Sequence, residues 1–412
     1  MRPIVVIGAG AAGLMAAISA AAGPRPVVLL ESTKDGGRKI LISGGGRCNV
    51  LPSALSPAQY VTDSSPNTLK KMLLAWPLHE QQSFFEDELG IRLVLERESG
   101  KLFPESNRAR DVRDALVERV RRDGAEIRFG SAVRDLVAPV DGNPWRVIAD
   151  TAIDAHAVVI ATGGLSVPAT GSDGTGLRIV EGLGHTINPT YPALTPLTAE
   201  PPRHAPLAGV SVEATLEAPL ARGRFVTRGG FLFTHRGYSG PAVLDISHLA
   251  VRSRTAGSTR QPILVQWTDL DAGSWDTALR QAGGGQVGPL LRRGMPTRLA
   301  DTLMQEANVD AQRTLAELRR DERARLVTAL ARYPLPWTGD EGYKKAEVTG
   351  GGVALSEVNP RTLESRLHPG LFLCGEILDA FGPIGGYNFA WAWATGRTAG
   401  RGAAARTGDA GA

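Results

Sequence analysis

The tightest constraint on this chain lies in its first 31 residues. A short apolar run, Pro3 to Ile7, leads into Gly8-Ala9-Gly10-Ala11-Ala12-Gly13. An Ala-rich stretch follows to about Ala22, Gly23-Pro24 interrupts it, and a second apolar run from Pro26 to Leu30 ends in Glu31. Short unbroken apolar runs suit parallel strands buried on both faces, and Gly-Pro stops a helix. The pattern therefore predicts strand, turn, helix, strand: a βαβ unit of the dinucleotide-binding type. Gly8 makes the tight turn, Gly10 lets the backbone approach a pyrophosphate, and Gly13 lets helix and strand pack closely. The pyrophosphate is expected at the helix N-terminus, where the N–H groups of Ala11, Ala12 and Gly13 are free. Glu31, with Ser32 beside it, stands where a carboxylate accepts hydrogen bonds from ribose hydroxyls.

The motif alone leaves FAD and NAD open. Its position at the N-terminus, combined with a C-terminal segment that can close over a cofactor, argues for FAD. In Leu371 to Asp379 an acid, Glu376, follows Gly375 just past an apolar strand, placed for ribityl hydroxyls. Gly385-Gly386-Tyr387-Asn388 then opens a helix whose free N–H groups suit the flavin C2 carbonyl and the negative charge of the reduced ring. A second complete GxGxxG unit for a dedicated nicotinamide domain is absent, so NAD(P)H is expected only transiently, in the substrate cleft.

Between these ends the texture changes. Gly36 to Asn49 is a glycine-punctuated loop, residues 55–90 look mostly helical, and Lys101 to Arg110 is expected to be a polar loop. A helix over Asp111 to Arg122 is followed by strands near Ala125 to Val133 and Trp145 to Ala149. The apolar run Ala157 to Ala161 and the loop Gly171 to Gly176 come next, the loop opening a helix to Gly182. From about Thr190 prolines cluster, and alternating runs at Val210 to Leu216, Arg224 to Phe233 and Pro262 to Trp267 read as strands. Residues 272–333 are helical in pattern, broken at Gly283-Gly284-Gly285 and Pro296. The expected fold class is α/β: a Rossmann domain with an inserted β-rich domain and a small helical subdomain. The expected boundaries are 1–190 for the N-terminal part of the FAD-binding domain, 191–271 for the β-rich insertion and 272–335 for the helical subdomain. Residues 336–412 return to the β-rich domain and then to the FAD-binding domain, ending in a Gly/Ala-rich tail after Arg401.

Composition narrows the partners. The pI is about 9.2 but the net charge is only +4. The densest basic cluster, Arg108 to Arg122, interleaves acids at helical spacing, which marks a solvated helix face. No nucleic-acid partner is therefore expected, and the substrate is expected to be a small molecule. Two distant cysteines without a CxxC favour the cytoplasm. The apolar N-terminus mimics a signal peptide only loosely, since cleavage would destroy the βαβ unit. No stretch reaches the ~20 apolar residues of a membrane span. The histidines lack ligand spacing, so no metal is expected. Nothing here fixes the oligomeric state.

The chain resembles the bacterial NAD(P)/FAD-dependent oxidoreductases of the BaiN-like, aminoacetone-oxidase-like flavoprotein family. The residues that carry this are Gly37-Arg38-Lys39, Ser43-Gly44-Gly45-Gly46-Arg47-Cys48-Asn49, Ala161-Thr162-Gly163-Gly164, the Gly171 to Gly176 loop and the segment from Gly375 to Gly400. The resemblance implies a glutathione-reductase-like FAD domain with an insertion. By the same likeness Ala161, Thr162 and Gly163 pass the adenosine side, and Val133 offers a backbone contact to adenine. Gly45 and Gly46 let backbone N–H groups crowd a flat or anionic ligand. Arg38, Lys39 and Arg47 bring positive charge. Lys39 either neutralises the pyrophosphate or polarises water or oxygen near flavin N5, and the residues leave both open. Cys48 is a structural thiol, a redox partner or a covalent tether for the flavin, the lone cysteine favouring the first. His235 and Tyr238, in a segment that resembles the family's, and Tyr387 are candidate acid/base or orienting groups, with a satisfied core or surface role as the alternative. The expected function is FAD-dependent oxidoreduction, a hydride passing between a small organic substrate and flavin N5 with NAD(P)H or oxygen as redox partner. The alternatives are a flavin-dependent nucleic-acid-modifying or nucleic-acid-binding protein and a non-catalytic FAD-bound sensor.

Overall fold

The computed structural model describes residues 1–140, 143–257, 259–280 and 285–407. The chain forms two units, one of Met1–Thr190 with Val348–Ala412 and one of Tyr191–Glu347.

The first unit is built on a five-stranded parallel sheet. The sheet and the helices that bear on the site are, in chain order, β1 (Ile4–Ile7), α1 (Ala11–Ala21), β2 (Val27–Glu31), α2 (Arg38–Ile42), α3 (Leu78–Ser83), α4 (Ala109–Arg122), β3 (Glu126–Phe129), β4 (Ala157–Ile160), β5 (Leu371–Leu373) and α5 (Tyr387–Ala405). The strand order is β5-β4-β1-β2-β3. Register is set by Ile4 opposite both Val27 and Ala157, with Val158 opposite Leu371. β1, β2, β4 and β5 are buried at every position, as expected for strands covered on both faces. β5 comes from the far end of the chain, so the C-terminal segment completes the sheet that the N-terminus starts.

Two glycines explain why α5 lies on α1. A Cβ on Gly396 would stand 2.4 Å from the Ala12 carbonyl oxygen, and one on Gly400 would stand 2.2 Å from that of Ala16. These glycines are one turn apart and let the helices meet at backbone distance. Trp391 and Trp393 of α5 are buried and donate to the carbonyls of Gly375 and Val50 at 3.0 and 3.1 Å.

The expected polar loop over Lys101 to Arg110 is corrected in its first part. Lys101–Pro104 is a strand paired with Leu51–Pro52 and Leu93–Glu96. Leu102, Phe103 and Pro104 are buried, and so short an apolar segment between charges gives no periodicity to read. α5 runs on to Ala405, into the expected Gly/Ala-rich tail, of which residues 408–412 lie outside the described residues.

The second unit carries a seven-stranded sheet whose longest strands are Ser211–Pro219 and Arg224–Phe233. Helices Ala272–Arg280, Val287–Gly294, Thr297–Glu306 and Arg320–Ala331 follow. Trp275, Leu291, Leu303 and Leu326 from those helices share one hydrophobic cluster with Phe231, Phe233 and Trp267 of the sheet. The helix Pro241–Thr255, which packs on the strand Arg224–Phe233, was not apparent among the alternating runs. Gly283 and Gly284, expected to break the helical pattern, lie outside the described residues.

Candidate flavin-binding site

The glycine loop between β1 and α1 has three different steric environments. Gly8 has φ +99°, and a Cβ there would lie 2.6 Å from the Ala161 carbonyl oxygen. At Gly13 a Cβ would fall 1.7 Å from the Gly8 carbonyl oxygen. At Gly10, by contrast, it would meet nothing within 4 Å. Gly8 and Gly13 are thus held by the protein's own packing, whereas Gly10 opens onto a cradle at the start of α1. Such a space, lined by the free N–H groups of the first helical turn, fits a pyrophosphate.

Glu31 is buried at the edge of this cradle. Its Oε2 accepts the Ala9 N–H at 2.7 Å, and its Oε1 accepts the backbone N–H and hydroxyl of Thr33 at 2.8 and 2.7 Å. These bonds fix the carboxylate, and Oε2, with one protein donor, keeps a lone pair for a ribose hydroxyl. Ser32 is exposed beside it and its hydroxyl reaches Glu31 at 3.4 Å. Val133 is buried in the segment after β3. Gly163 (φ +74°) would place a Cβ 2.7 Å from the Ser172 hydroxyl, so the turn after Ala161 and Thr162 is also closely packed.

Lys39 and Glu376 meet in a second cluster. Lys39 Nζ donates to Glu376 Oε2 and to Ser166 Oγ, both at 2.6 Å. Glu376 Oε1 accepts from Ser166 Oγ at 2.6 Å and from the Thr349 N–H and hydroxyl at 3.0 and 2.9 Å. The Glu376 carboxylate is therefore the hub of a protein network that holds Lys39 over a long sequence separation. Arg38 and Arg47 are engaged elsewhere. Arg38 pairs with Asp35 at 2.8 Å. Arg47 pairs with Glu96 at 3.0 Å and lies 4.0 Å over the Phe103 ring.

Gly45 (φ +68°) and Gly46 (φ +87°) are exposed with little or nothing around a would-be Cβ, so their backbone is open to a ligand. Cys48 differs from its neighbours. It is fully buried with φ 63°, and burial pushes its thiol pKa up to about 12, a hydrogen bond from Ser43 acting the other way. A thiol so held is not a nucleophile near neutral pH. Burial also raises the Cys374 thiol.

α5 opens at Gly385 and Gly386, both at positive φ (108° and 97°), and a Cβ on Gly386 would lie 2.5 Å from Leu51. Gly375, also at positive φ, packs against Ala12 of α1. The Asn388 amide ties the preceding loop, accepting from Gly382 N–H and donating to Gly382 O, each at 2.9 Å. Tyr387 is half-buried: its hydroxyl oxygen accepts from Gln59 Nε2 at 3.2 Å, and its carbonyl accepts from the Tyr60 hydroxyl at 2.6 Å. Near it, buried Asp379 accepts from Thr62, Ser64 and Asn188 side chains.

His235 and Tyr238 belong to the second unit and are not alike. His235 is exposed in the turn before the strand Gly237–Ser239. Tyr238 is fully buried, its hydroxyl 2.9 Å from His204 Nδ1, and burial raises its pKa well above the ordinary tyrosine value. It belongs to a network of His204, Tyr333 and Glu306 under Phe233. Sequence reasoning missed Ser166, Thr349, Asp379 and Gln59, none of which lies in a local motif. Among the described residues no group of three or more His, Cys, Asp or Glu is arranged to hold a metal ion, and no helix is long and apolar enough to cross a membrane.

A family model described as the HI0933-like protein Rossmann domain matches residues 2–402. The chain is 34% identical over 397 residues to a protein of Escherichia coli (strain K12) named ribosomal RNA dihydrouridine synthase, covering 95% of each chain. It is 32% identical over 413 residues to the 3-dehydro-bile acid delta(4,6)-reductase of Clostridium scindens, covering 98% of this chain and 100% of the relative. Among solved structures, the 3-ketosteroid delta1-dehydrogenase of Sterolibacterium denitrificans superposes with a TM-score of 0.52 at 12% identity, over 98% of this chain and 100% of that one. That last likeness concerns the fold alone.

Proposed function

Given that the chain belongs to the HI0933-like family of FAD-binding Rossmann proteins and is a FAD-dependent oxidoreductase, we propose that it saturates a carbon–carbon double bond conjugated to a carbonyl, with NAD(P)H as the electron source. The observation that carries this reading is the chemistry shared by two relatives named for different substrates. Dihydrouridine is uridine with its C5=C6 bond saturated, and that bond is conjugated to the C4 carbonyl. A 3-keto compound with 4,6-unsaturation carries the same group, longer by one double bond. Both products gain a hydride at a conjugated carbon remote from the carbonyl and a proton at its neighbour.

Bound FAD supplies the hydride. The chain's residues hold and polarise. The first turn of α1 and Gly10 would hold the pyrophosphate, and Glu31 Oε2 would accept from a ribose hydroxyl. The N-terminus of α5 would offer its partial positive charge to the reduced flavin. Glu376 and Ser166 hold Lys39, keeping its positive charge in the site. We assign proton delivery to Tyr387: Gln59 donates to its hydroxyl oxygen, which leaves the hydroxyl hydrogen to be given away. The Tyr238 hydroxyl, satisfied inside its own unit, has no such role.

A uridine in ribosomal RNA is the substrate we favour, because the relative of higher identity is named for it. This departs from the expectation of no nucleic-acid partner, which rested on the low net charge, the dispersed basic residues and the few aromatics. A small dienone is the second reading, favoured by the bile-acid relative matched over its whole length. The test is to incubate the FAD-loaded protein and NADPH with ribosomal RNA from a strain lacking the gene, and separately with a 4,6-dien-3-one. Nucleoside and steroid products are then measured by mass spectrometry. Dihydrouridine in the RNA supports the first reading and steroid reduction alone the second. No gain of two hydrogens in either substrate contradicts the proposal.

A further inference from the structure

A cleft of about 400 Å³ on the first unit has no part in the site described above. It runs along the second half of α1, bounded by α3, the π-helical turn Phe84–Glu88 and the C-terminal half of α5. Single π turns inside helices recur at functional sites. Charges of both signs line this cleft without meeting. Arg397 and Arg401, one turn apart on α5, supply the positive side, and Glu80 and Asp87 the negative. Among the described residues none of these four side chains makes a hydrogen bond or an ion pair. Arg119 and Glu88 also line the cleft but neutralise each other at 2.9 Å, with Asp123 on Arg119 at 2.7 Å.

Glu80, Asp87 and Arg401 are exposed and solvated, so the unfavourable electrostatics fall on half-buried Arg397. Like charges at i and i+4 of a helix repel. Arg397 is half-buried, with its guanidinium stacked 4.7 Å over the Trp76 ring. This cation–π contact engages no N–H group in a hydrogen bond, so the guanidinium keeps its donors for an acceptor. Burial and the neighbouring Arg401 both press Arg397 below the usual arginine pKa, while Glu80 and Glu88 act the other way. A lone anion would satisfy the arginines but face the acids, and a lone cation would meet the reverse problem. A ligand carrying one charge of each sign a few ångströms apart matches both sides, and Met15, Ile18, Trp76 and Phe84 in the lining supply apolar contact.

We propose that this cleft binds a small zwitterion with an apolar body, of the α-amino acid class. Its carboxylate sits on Arg397 and Arg401, its ammonium on Glu80 and Asp87, and its side chain against Trp76 and Phe84. The site is independent of the cofactor loop, which lies at the other end of α1.

Isothermal titration of the full-length FAD-loaded protein tests this, with L-leucine, L-phenylalanine, N-acetyl-L-leucine, L-leucinamide and inorganic phosphate as probes, alongside tryptophan fluorescence. Saturable one-to-one binding of a free amino acid is expected. The capped, singly charged forms are expected to be weaker by about tenfold or more, as is the free amino acid on Arg397→Ala or Glu80→Gln protein, each having lost a charge-assisted contact. Arg401→Gln, at an exposed position, serves the same purpose if Arg397→Ala does not fold. Three results overturn the proposal: neither amino acid binds, the capped forms or phosphate bind as well as the free amino acids, or a folded variant keeps full affinity.

Discussion

Two alanine substitutions in the glycine loop separate what the loop does for folding from what it does for the cofactor. At Gly13 the new Cβ would lie 1.7 Å from a backbone oxygen, so α1 and the Gly8 turn must part by more than an ångström. Overpacking a core typically costs about 1–3 kcal/mol. Here the obstacle is backbone on both sides, so we expect a loss of about 3 kcal/mol. For a unit of this size that lowers the melting temperature by roughly 6–12 °C. At Gly10 the reasoning reverses. Its φ of −77° and ψ of −172° are accessible to alanine, and the space around it is open. The entropy gained by removing a glycine from the unfolded chain, about 0.4–1 kcal/mol, is offset by alanine's poorer fit at a helix N-cap, a loss of similar size. The apo-protein should therefore melt within about 2 °C of wild type. FAD affinity should nevertheless fall, because a methyl group stands where the pyrophosphate meets the helix N-terminus. Weakening one or two charge-assisted N–H contacts, at about 1.5–3 kcal/mol for the full loss of each, predicts a dissociation constant raised roughly 10- to 150-fold. Apo-protein melting curves and FAD titration by flavin fluorescence measure the two effects. Wild-type FAD affinity in Gly10→Ala, or an unchanged melting temperature in Gly13→Ala, would refute the assignment.

Tyr387→Phe should slow oxidation of the reduced flavin by substrate by about 10²–10⁴-fold and leave flavin reduction by NADPH unchanged, which anaerobic stopped-flow absorbance separates. His248 is buried with its Nδ1 donating to the Asp245 carbonyl, and burial pushes its pKa down to about 4. The unfolded chain therefore takes up this proton first as pH falls, so stability is full above the ordinary histidine pKa and is lost from about pH 6.5 downward, by as much as ~3 kcal/mol near pH 4. Urea midpoints between pH 7 and pH 4.5 should fall less steeply in a folded His248→Asn variant than in wild type. Cys48 and Cys374 are both fully buried, so a thiol reagent should label neither in the native protein and both after unfolding. Cys48→Ala should keep the wild-type rate of flavin reduction.

What could be read from the sequence was local. Gly8, Gly10, Gly13 and Glu31 sit within one βαβ unit, where spacing alone dictates who meets whom. The same holds for the Gly385-Gly386 opening of α5. The hub around Glu376 was not readable. Its partners Lys39, Ser166 and Thr349 come from three other segments, and serine and threonine carry no pattern that marks a buried acceptor's donors. Gln59 reaches Tyr387 across 328 positions for the same reason. The strand Lys101–Pro104 is too short to alternate visibly. The helix Pro241–Thr255 did carry a signal, a glycine followed by proline at the first helical position, which the alternating runs around it obscured. His235 and Tyr238, three positions apart in one motif, illustrate the limit from the other side. The chain reverses between them, exposing one and burying the other.

The most direct test of the proposed chemistry is a single-turnover oxidation. The FAD-loaded protein is reduced with NADPH under anaerobic conditions and then mixed with either of two partners, a conjugated acceptor or its saturated analogue. The acceptors are unmodified ribosomal RNA or a 4,6-dien-3-one. Conjugated double-bond reduction predicts that the flavin absorbance returns with one of these acceptors, that one saturated product forms per flavin, and that the analogue gives no reaction. A flavin that stays reduced with both acceptors, and is reoxidised only when oxygen is admitted, would contradict it and mark the protein as an oxidase.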